Sequence, residues 1–209
     1  MKFEQDFKDA ISELSDKEKD KLILRLLKRD IPLAKRLYFE LVSTQTAEEL
    51  RGEMEIRLKQ RLHHIAHPHF GLVDLMVELR SLSGEISAHV NTTKDKTGEV
   101  SLSLLLVNQA LTDFIPRIDR SSPVKAHKIC IYIVSKCFKI LILIQALHED
   151  YHVEFREDLE QLGKLIGQSR NLAHTAEHNG LELEWLLSGD LPENVKGMHA
   201  AIRKQGLLR

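Results

Sequence analysis

Residues 148–152 read His-Glu-Asp-Tyr-His, which fits H-E-x-x-H, and residues 174–178 read His-Thr-Ala-Glu-His, which fits the reversed pattern H-x-x-E-H. On one helical face, His148 and His152 can offer two nitrogens to a single Zn²⁺, with Glu149 beside them as the base for a metal-bound water. A catalytic zinc needs a third protein ligand, and Glu177 lies at a sequence distance that suits a glutamate-type zinc peptidase.

Three features oppose that chemistry. Asp150 puts a charge where such a site is buried. Substrate of such enzymes lies along a sheet edge, and no strand is expected here. The third feature is the apolar rhythm of Phe155, Leu159, Leu162, Ile166, Ala173 and Ala176, with Ser169 in the skipped turn. It predicts one continuous helix over about 153–178, running through Gly163 and Gly167. His152 and His174 then lie roughly 33 Å apart at 1.5 Å per residue. A fold-back at Gly163 is the alternative, pairing His148 with His178 and His152 with His174. The two glycines cost only about 1 kcal/mol each within a helix, so the continuous seam is preferred. Extended backwards, it takes in His152 and His148 as core-edge or interface histidines.

Other clusters carry weaker chemistry. His63, His64, His67 and His69 gather before and after Pro68, where a helix C-terminus stabilises imidazolium charge. Glu154, Glu157 and Glu160 supply the E-x-x-E half of the Mg²⁺ site of an all-helical nucleotide pyrophosphohydrolase. No E-x-x-D follows on a later helix, so a solvated acidic face is expected. Arg25, Lys28, Arg29, Lys35 and Arg36 surround a helix–helix corner, while Lys125, Lys128, Tyr132, Lys136 and Lys139 form a stripe at helical spacing. Either set suits an anion or an acidic partner. Without interleaved aromatic residues to stack bases, a nucleic-acid partner is not expected.

Helices must position these residues. Ser15–Glu18 and Thr46–Glu49 are capping boxes, and Ser122-Pro123 is an N-cap with a first-turn proline. The predicted helices are a short one before Ser15, one from Ser15 to Asp30, and one to about Val42. Longer ones follow at 46–68, 70–93, 99–114, 123–150 and 153–178, with a last short helix after Leu191. Residues 115–123 are read as a connection, and 181–187 as either a helical turn or a strand. The 123–150 helix is apolar over most of its circumference, and from Ile140 to Leu147 only Gln145 interrupts the run. Other helices must surround it. Lys136 and Lys139 sit mid-span and argue against a membrane crossing.

Composition agrees. With 43% hydrophobic and 29% charged residues, 10 glycines and 5 prolines in 209 residues, the chain suits helix-on-helix packing and not a β-sandwich. A net charge of −1 supplies no global field toward nucleic acid or an anionic membrane. Cys130 and Cys137, seven apart on one predicted helix, are about 10 Å from each other and read as buried thiols in a reducing compartment. The first residues lack the apolar core of a signal peptide, so a cytoplasmic location is expected.

The segments LSDKEKDKLILRLLKRD, LAKRLYFELV and CIYIVSKCFKILILIQALHEDY together resemble an uncharacterised family of all-helical bacterial proteins. Members of that family are sometimes labelled deoxyuridine-triphosphate hydrolases. The resemblance implies the fold class and transfers no functional residue. The sequence therefore reads as an all-α protein. A group of short helices (1–45) precedes a bundle (46–209) built around the 123–150 helix, and the two could form one continuous domain. The expected role is a non-catalytic cytosolic module that binds a protein partner or itself, without a cofactor. The alternative is a hydrolase dependent on Mg²⁺ or Zn²⁺.

Overall fold

The structure, a computed structural model, describes residues 3–208. It is all-α: 81% helical, with eleven α-helices, one 3₁₀ turn and no strand among the described residues. The chain divides into two compact units, residues 1–45 with 91–93, and residues 46–90 with 94–209.

The first unit holds α1 (Gln5–Glu13), α2 (Asp16–Leu27) and α3 (Ile31–Leu41). Local chemistry sets their ends. The Glu18 carboxylate accepts from the Ser15 backbone N–H at 3.0 Å and from its hydroxyl at 2.6 Å, which holds the carboxyl below its usual range. Asp30 caps α3 by accepting from the Leu33 N–H at 3.0 Å, and Pro32 occupies the first turn. Leu22, Leu27, Leu37 and Phe39 are half-buried; no described residue of this unit is buried.

The second unit holds α4 (Ala47–Ile65), α5 (Leu72–Thr93, to Val90), α6 (Lys96–Arg120), α7 (Pro123–Gln145), a 3₁₀ turn (Glu149–Phe155), α8 (Arg156–Gln168), α9 (Arg170–His178), α10 (Leu183–Ser188) and α11 (Val195–Lys204). Both halves of the Thr46–Glu49 capping box form, with N···O distances of 2.7 and 3.1 Å. The core is continuous through this unit, and α6 and α7 are its centre. α6 packs on α4, α7, α8, α9 and the 3₁₀ turn; α7 packs on α6, α9, α11 and the turn. Phe114, Ile118, Val134, Cys137, Phe138 and Leu141 are fully enclosed. Both cysteines are free and buried, and burial pushes their thiols up, Cys130 to about 11 and Cys137 to about 12. No helix among the described residues is long and apolar enough to cross a membrane.

Three elements depart from the sequence expectation, each for a tertiary reason. α6 runs to Arg120 through Pro116, where a connection was expected. Proline inside a helix costs about 3 kcal/mol, and anchors beyond it offset this. Ile118 is enclosed, while the Arg117 guanidinium donates to the Phe70 and Ala66 carbonyls and lies 4.5 Å from the Phe114 ring centroid. α7 stops at Gln145, five residues before the expected end. The Gln145 amide donates to the Pro192 and Glu193 carbonyls, both at 2.8 Å, and accepts from the Val195 N–H at 3.2 Å. The one polar residue in the apolar run thus ties the start of α11 to the end of α7.

The continuous helix expected over 153–178 is three elements. Ser169, fully buried with ψ 118°, ends α8 and caps α9. Its hydroxyl donates to Asp119 Oδ1 at 2.7 Å and accepts from the Leu172 N–H at 3.3 Å. Asn171 then donates to the Ile118 carbonyl at 2.8 Å, so the end of α6 is capped by the start of α9. Gly163 lies inside α8, not at a fold-back. A Cβ there would sit 2.9 Å from Leu187 Cδ2, so glycine lets α10 pack closely on α8. Residues 183–188, ambiguous in the sequence, are helical.

Candidate functional site

The end of α7 decides the geometry of the H-E-x-x-H stretch. His148 is not helical; it caps the 3₁₀ turn with ψ 142°, and its exposed imidazole faces Asp150 Oδ2 at 3.2 Å. A four-residue step in a 3₁₀ turn advances about 120° around the axis, so His148 and His152 do not share a face as they would on an α-helix. His152 points inward. Its Nε2 is buried without a hydrogen-bond partner, beside a cavity of about 230 Å³ lined also by Glu149, Arg156 and Gly189. Glu177 stands on α9 and lines a different groove, of about 720 Å³, with Arg170 and His174. His174 and His178 stack on that helix with ring centroids 6.4 Å apart. Among the described residues no three His, Cys, Asp or Glu side chains converge as a metal site. This includes His63, His64, His67 and His69, whose rings lie about 6 Å apart at the end of α4. The carboxylate run is equally dispersed: Glu154 and Glu157 are exposed, and Glu160 pairs with Lys164 at 2.6 Å.

The lysine stripe divides in two. Lys125 and Lys128 are exposed on the first turns of α7. Further along, the Tyr132 hydroxyl donates to the Leu79 carbonyl at 3.0 Å and meets Ser83 Oγ at 2.9 Å. Lys139 pairs with Glu99 at 3.0 Å. Lys136 lies 5.9 Å from the Tyr132 ring centroid, and burial, aided by the Lys139 charge and opposed by Glu99, pushes it down to about 8. This half of the stripe is a seam joining α7 to α5 and α6.

A pH prediction follows for Lys136. Its folded pKa is below the ordinary lysine value, so folding disfavours the charged form. Its contribution therefore stabilises the fold progressively as pH rises from about 8 toward about 10.4. The raised thiols act oppositely at alkaline pH, so the informative quantity is a difference. Chemical denaturation of wild type and Lys136→Met should show the variant gaining most, relative to wild type, below pH about 8, and that advantage shrinking above it.

One buried cluster escaped the sequence reading. Asp95 caps α6, its Oδ1 accepting from Gly98 N–H at 2.8 Å and Thr97 Oγ1 at 3.1 Å. Its other oxygen meets Arg51 Nε of α4 at 2.9 Å and His89 Nε2 of α5 at 3.8 Å. The Asp95 and His89 side chains are each only 5% exposed. Burial lowers the His89 pKa, the Asp95 charge opposes that, and Arg51 adds to it. The legible signal was Asp95-x-x-Gly98: a Cβ on Gly98 would collide with the capping carboxylate. A second ionic seam has Arg61 of α4 forked onto Glu78 and reaching Glu85, both on α5. These charges hold helices together.

The first unit presents the opposite picture. Most of the large apolar side chains that face solvent lie here, among them Leu41 (78% exposed), Tyr38 (64%) and Leu24 (59%). Phe7 and Ile11 of α1, Leu14 just beyond it and Leu22 of α2 line an open groove of about 650 Å³, rimmed by Glu18, Lys21 and Arg25. A further groove of about 710 Å³ in the second unit runs between α7 and α9, past His127, Arg170 and His174. No protein-family model, curated protein or solved structure matches the chain.

Proposed function

We propose that this protein is a non-catalytic helical interaction module of the cytoplasm that works through its N-terminal three-helix unit. The observation that carries the reading is that no described residue of the first unit is buried, whereas α6 alone buries twelve. Helices of 9 to 12 residues are marginal in water unless an apolar face is packed. A segment near 45 residues with no buried side chain lacks the area that offsets chain entropy. Leu24, Tyr38 and Leu41 therefore form an apolar surface suited to a partner. The ionic groups of the second unit support the same view, because Arg51, Asp95, Glu99 and Lys139 are engaged in helix packing. The two buried free thiols support a reducing compartment.

Lysine-directed cross-linking in the producing cells, read by mass spectrometry, tests this. Lys8, Lys21, Lys28 and Lys35 are exposed on the first unit and are expected to link to a second polypeptide. The reading fails if these lysines give only intrachain links while the purified protein hydrolyses nucleoside triphosphates with Mg²⁺ or peptides with Zn²⁺, activity that Glu154→Gln with Glu157→Gln, or His152→Ala, abolishes.

A further inference from the structure

The charges of the first unit are sorted along its chain. From Phe3 to Glu13, Glu4, Asp6, Asp9 and Glu13 face a single lysine, Lys8. Asp16 to Lys21, the first half of α2, alternate three acids with three lysines, and from Leu22 to Gln45 the balance reverses: Arg25, Lys28, Arg29, Lys35 and Arg36 against Asp30 and Glu40. Little of this charge is neutralised locally. Arg36 pairs with Glu40 at 2.6 Å, and Asp9 accepts from Gln5 at 2.8 Å. Arg25, Lys28, Arg29 and Lys35, like Asp6 and Glu13, form no ion pair among the described residues. Apolar side chains accompany both charged regions. Phe3, Phe7 and Ile11 recur every four residues along the acidic stretch, while Leu24, Leu26, Tyr38 and Leu41 stand exposed along the basic one.

An acidic partner would match only the stretch from the end of α2 through α3, and a basic partner only α1. A second copy of this unit matches both. We infer that the first unit is a self-association surface on which the acidic, apolar α1 of one copy covers the basic, apolar α2–α3 corner of another, twice over about a two-fold axis. This rests on the interaction reading above and names the occupant. A two-fold arrangement repeats the same patch on both copies and closes, leaving no open end for polymerisation. Apolar burial supplies the affinity, and charge matching sets the register and speeds encounter.

Charge-swapped full-length chains test the pairing. One variant carries Asp6→Lys, Asp9→Lys and Glu13→Lys; the other carries Arg25→Glu, Lys28→Glu and Arg29→Glu. All six positions are exposed, so the main unfolding transition, set by the buried core of the second unit, should match wild type. Sedimentation is expected to show a wild-type dimer that weakens about tenfold or more between roughly 0.05 and 0.5 M salt. Each variant alone should dissociate at least about tenfold more readily, because both contacts become like-charged. Mixed in equal amounts, the two should re-form a dimer, since each inverted patch then meets its complement. Restoration on mixing cannot come from misfolding. The inference is overturned by a wild type that stays monomeric at about 100 µM, by variants that dimerise like wild type, or by a mixture that does not associate. Cross-links from the first unit solely to a different protein would also overturn it, while leaving the interaction reading standing.

Discussion

Phe138→Ala is expected to lower the unfolding free energy by about 3–5 kcal/mol, read as a large fall in the urea midpoint. Phe138 is 0% exposed near the middle of α7, its ring 5.3 Å from that of His199 on α11. Truncation removes the transfer energy of a whole aromatic ring and leaves a void. Neighbours such as Val134 and Leu141, themselves fully buried, have little room to collapse into it. The matched control is Leu41→Ala in the first unit. Leu41 is 78% exposed, so in the isolated chain its truncation should change the main unfolding transition by less than about 0.5 kcal/mol. The contrast separates a residue that builds the fold from one that offers surface. If Leu41→Ala cost as much as Phe138→Ala in dilute monomer, the surface assignment would be wrong.

Asp95→Ala is expected to cost about 3–5 kcal/mol, the range for removing one partner of a buried charge pair. The substitution takes away the cap of α6, the ion pair with Arg51 and the carboxylate facing His89 together. Asp95→Asn should cost less, because the amide oxygen still accepts from the Gly98 N–H while the charge is lost. The pH response carries the sign. The folded His89 pKa is lowered by burial despite the opposing Asp95 charge. The fold therefore prefers neutral His89, and its contribution is complete above about 6.5 and lost as pH falls below that value. Without the carboxylate, burial acts unopposed. Asp95→Ala should lose stability more steeply than wild type below pH about 6.5. Denaturation series at several pH values, with His89→Gln as the reference, measure this directly.

Much of this architecture was legible in the residues. The caps at Thr46 and Asp30, the start of α7 at Pro123 and its wide apolar arc each depend on neighbours within a turn or two, so local chemistry announces them. Ser122 stands at the N-cap position without a side-chain capping bond. What escaped depends on partners far along the chain. The break at Ser169 exists because Asp119, fifty residues earlier, accepts a hydrogen bond from its hydroxyl. α7 ends at Gln145 because that amide holds the segment from Pro192 to Val195. α6 passes Pro116 because Arg117 and Ile118 are anchored beyond it. The early end of α7 removes the premise of the H-E-x-x-H pattern: the four-residue spacing aligns His148 and His152 only on an α-helix, and both lie at a 3₁₀ turn instead. The residues of the lysine stripe all lie on α7 and are mixed in role. Helical spacing does not say that Tyr132 reaches the Leu79 carbonyl or that Glu99 reaches Lys139.

The central claim is that the N-terminal helices are completed by another chain. Amide hydrogen exchange of the full-length protein, followed from dilute to concentrated solution, addresses it most directly. Residues of α6 and α7, which bury twelve and eleven side chains, should exchange slowly at every concentration. Amides of α1–α3, which bury none, should exchange rapidly in dilute monomer. They should then gain protection of about tenfold or more as association proceeds. Protection of α1–α3 equal to that of α6 and α7 in the dilute monomer would contradict the account, because those helices would then need no second chain.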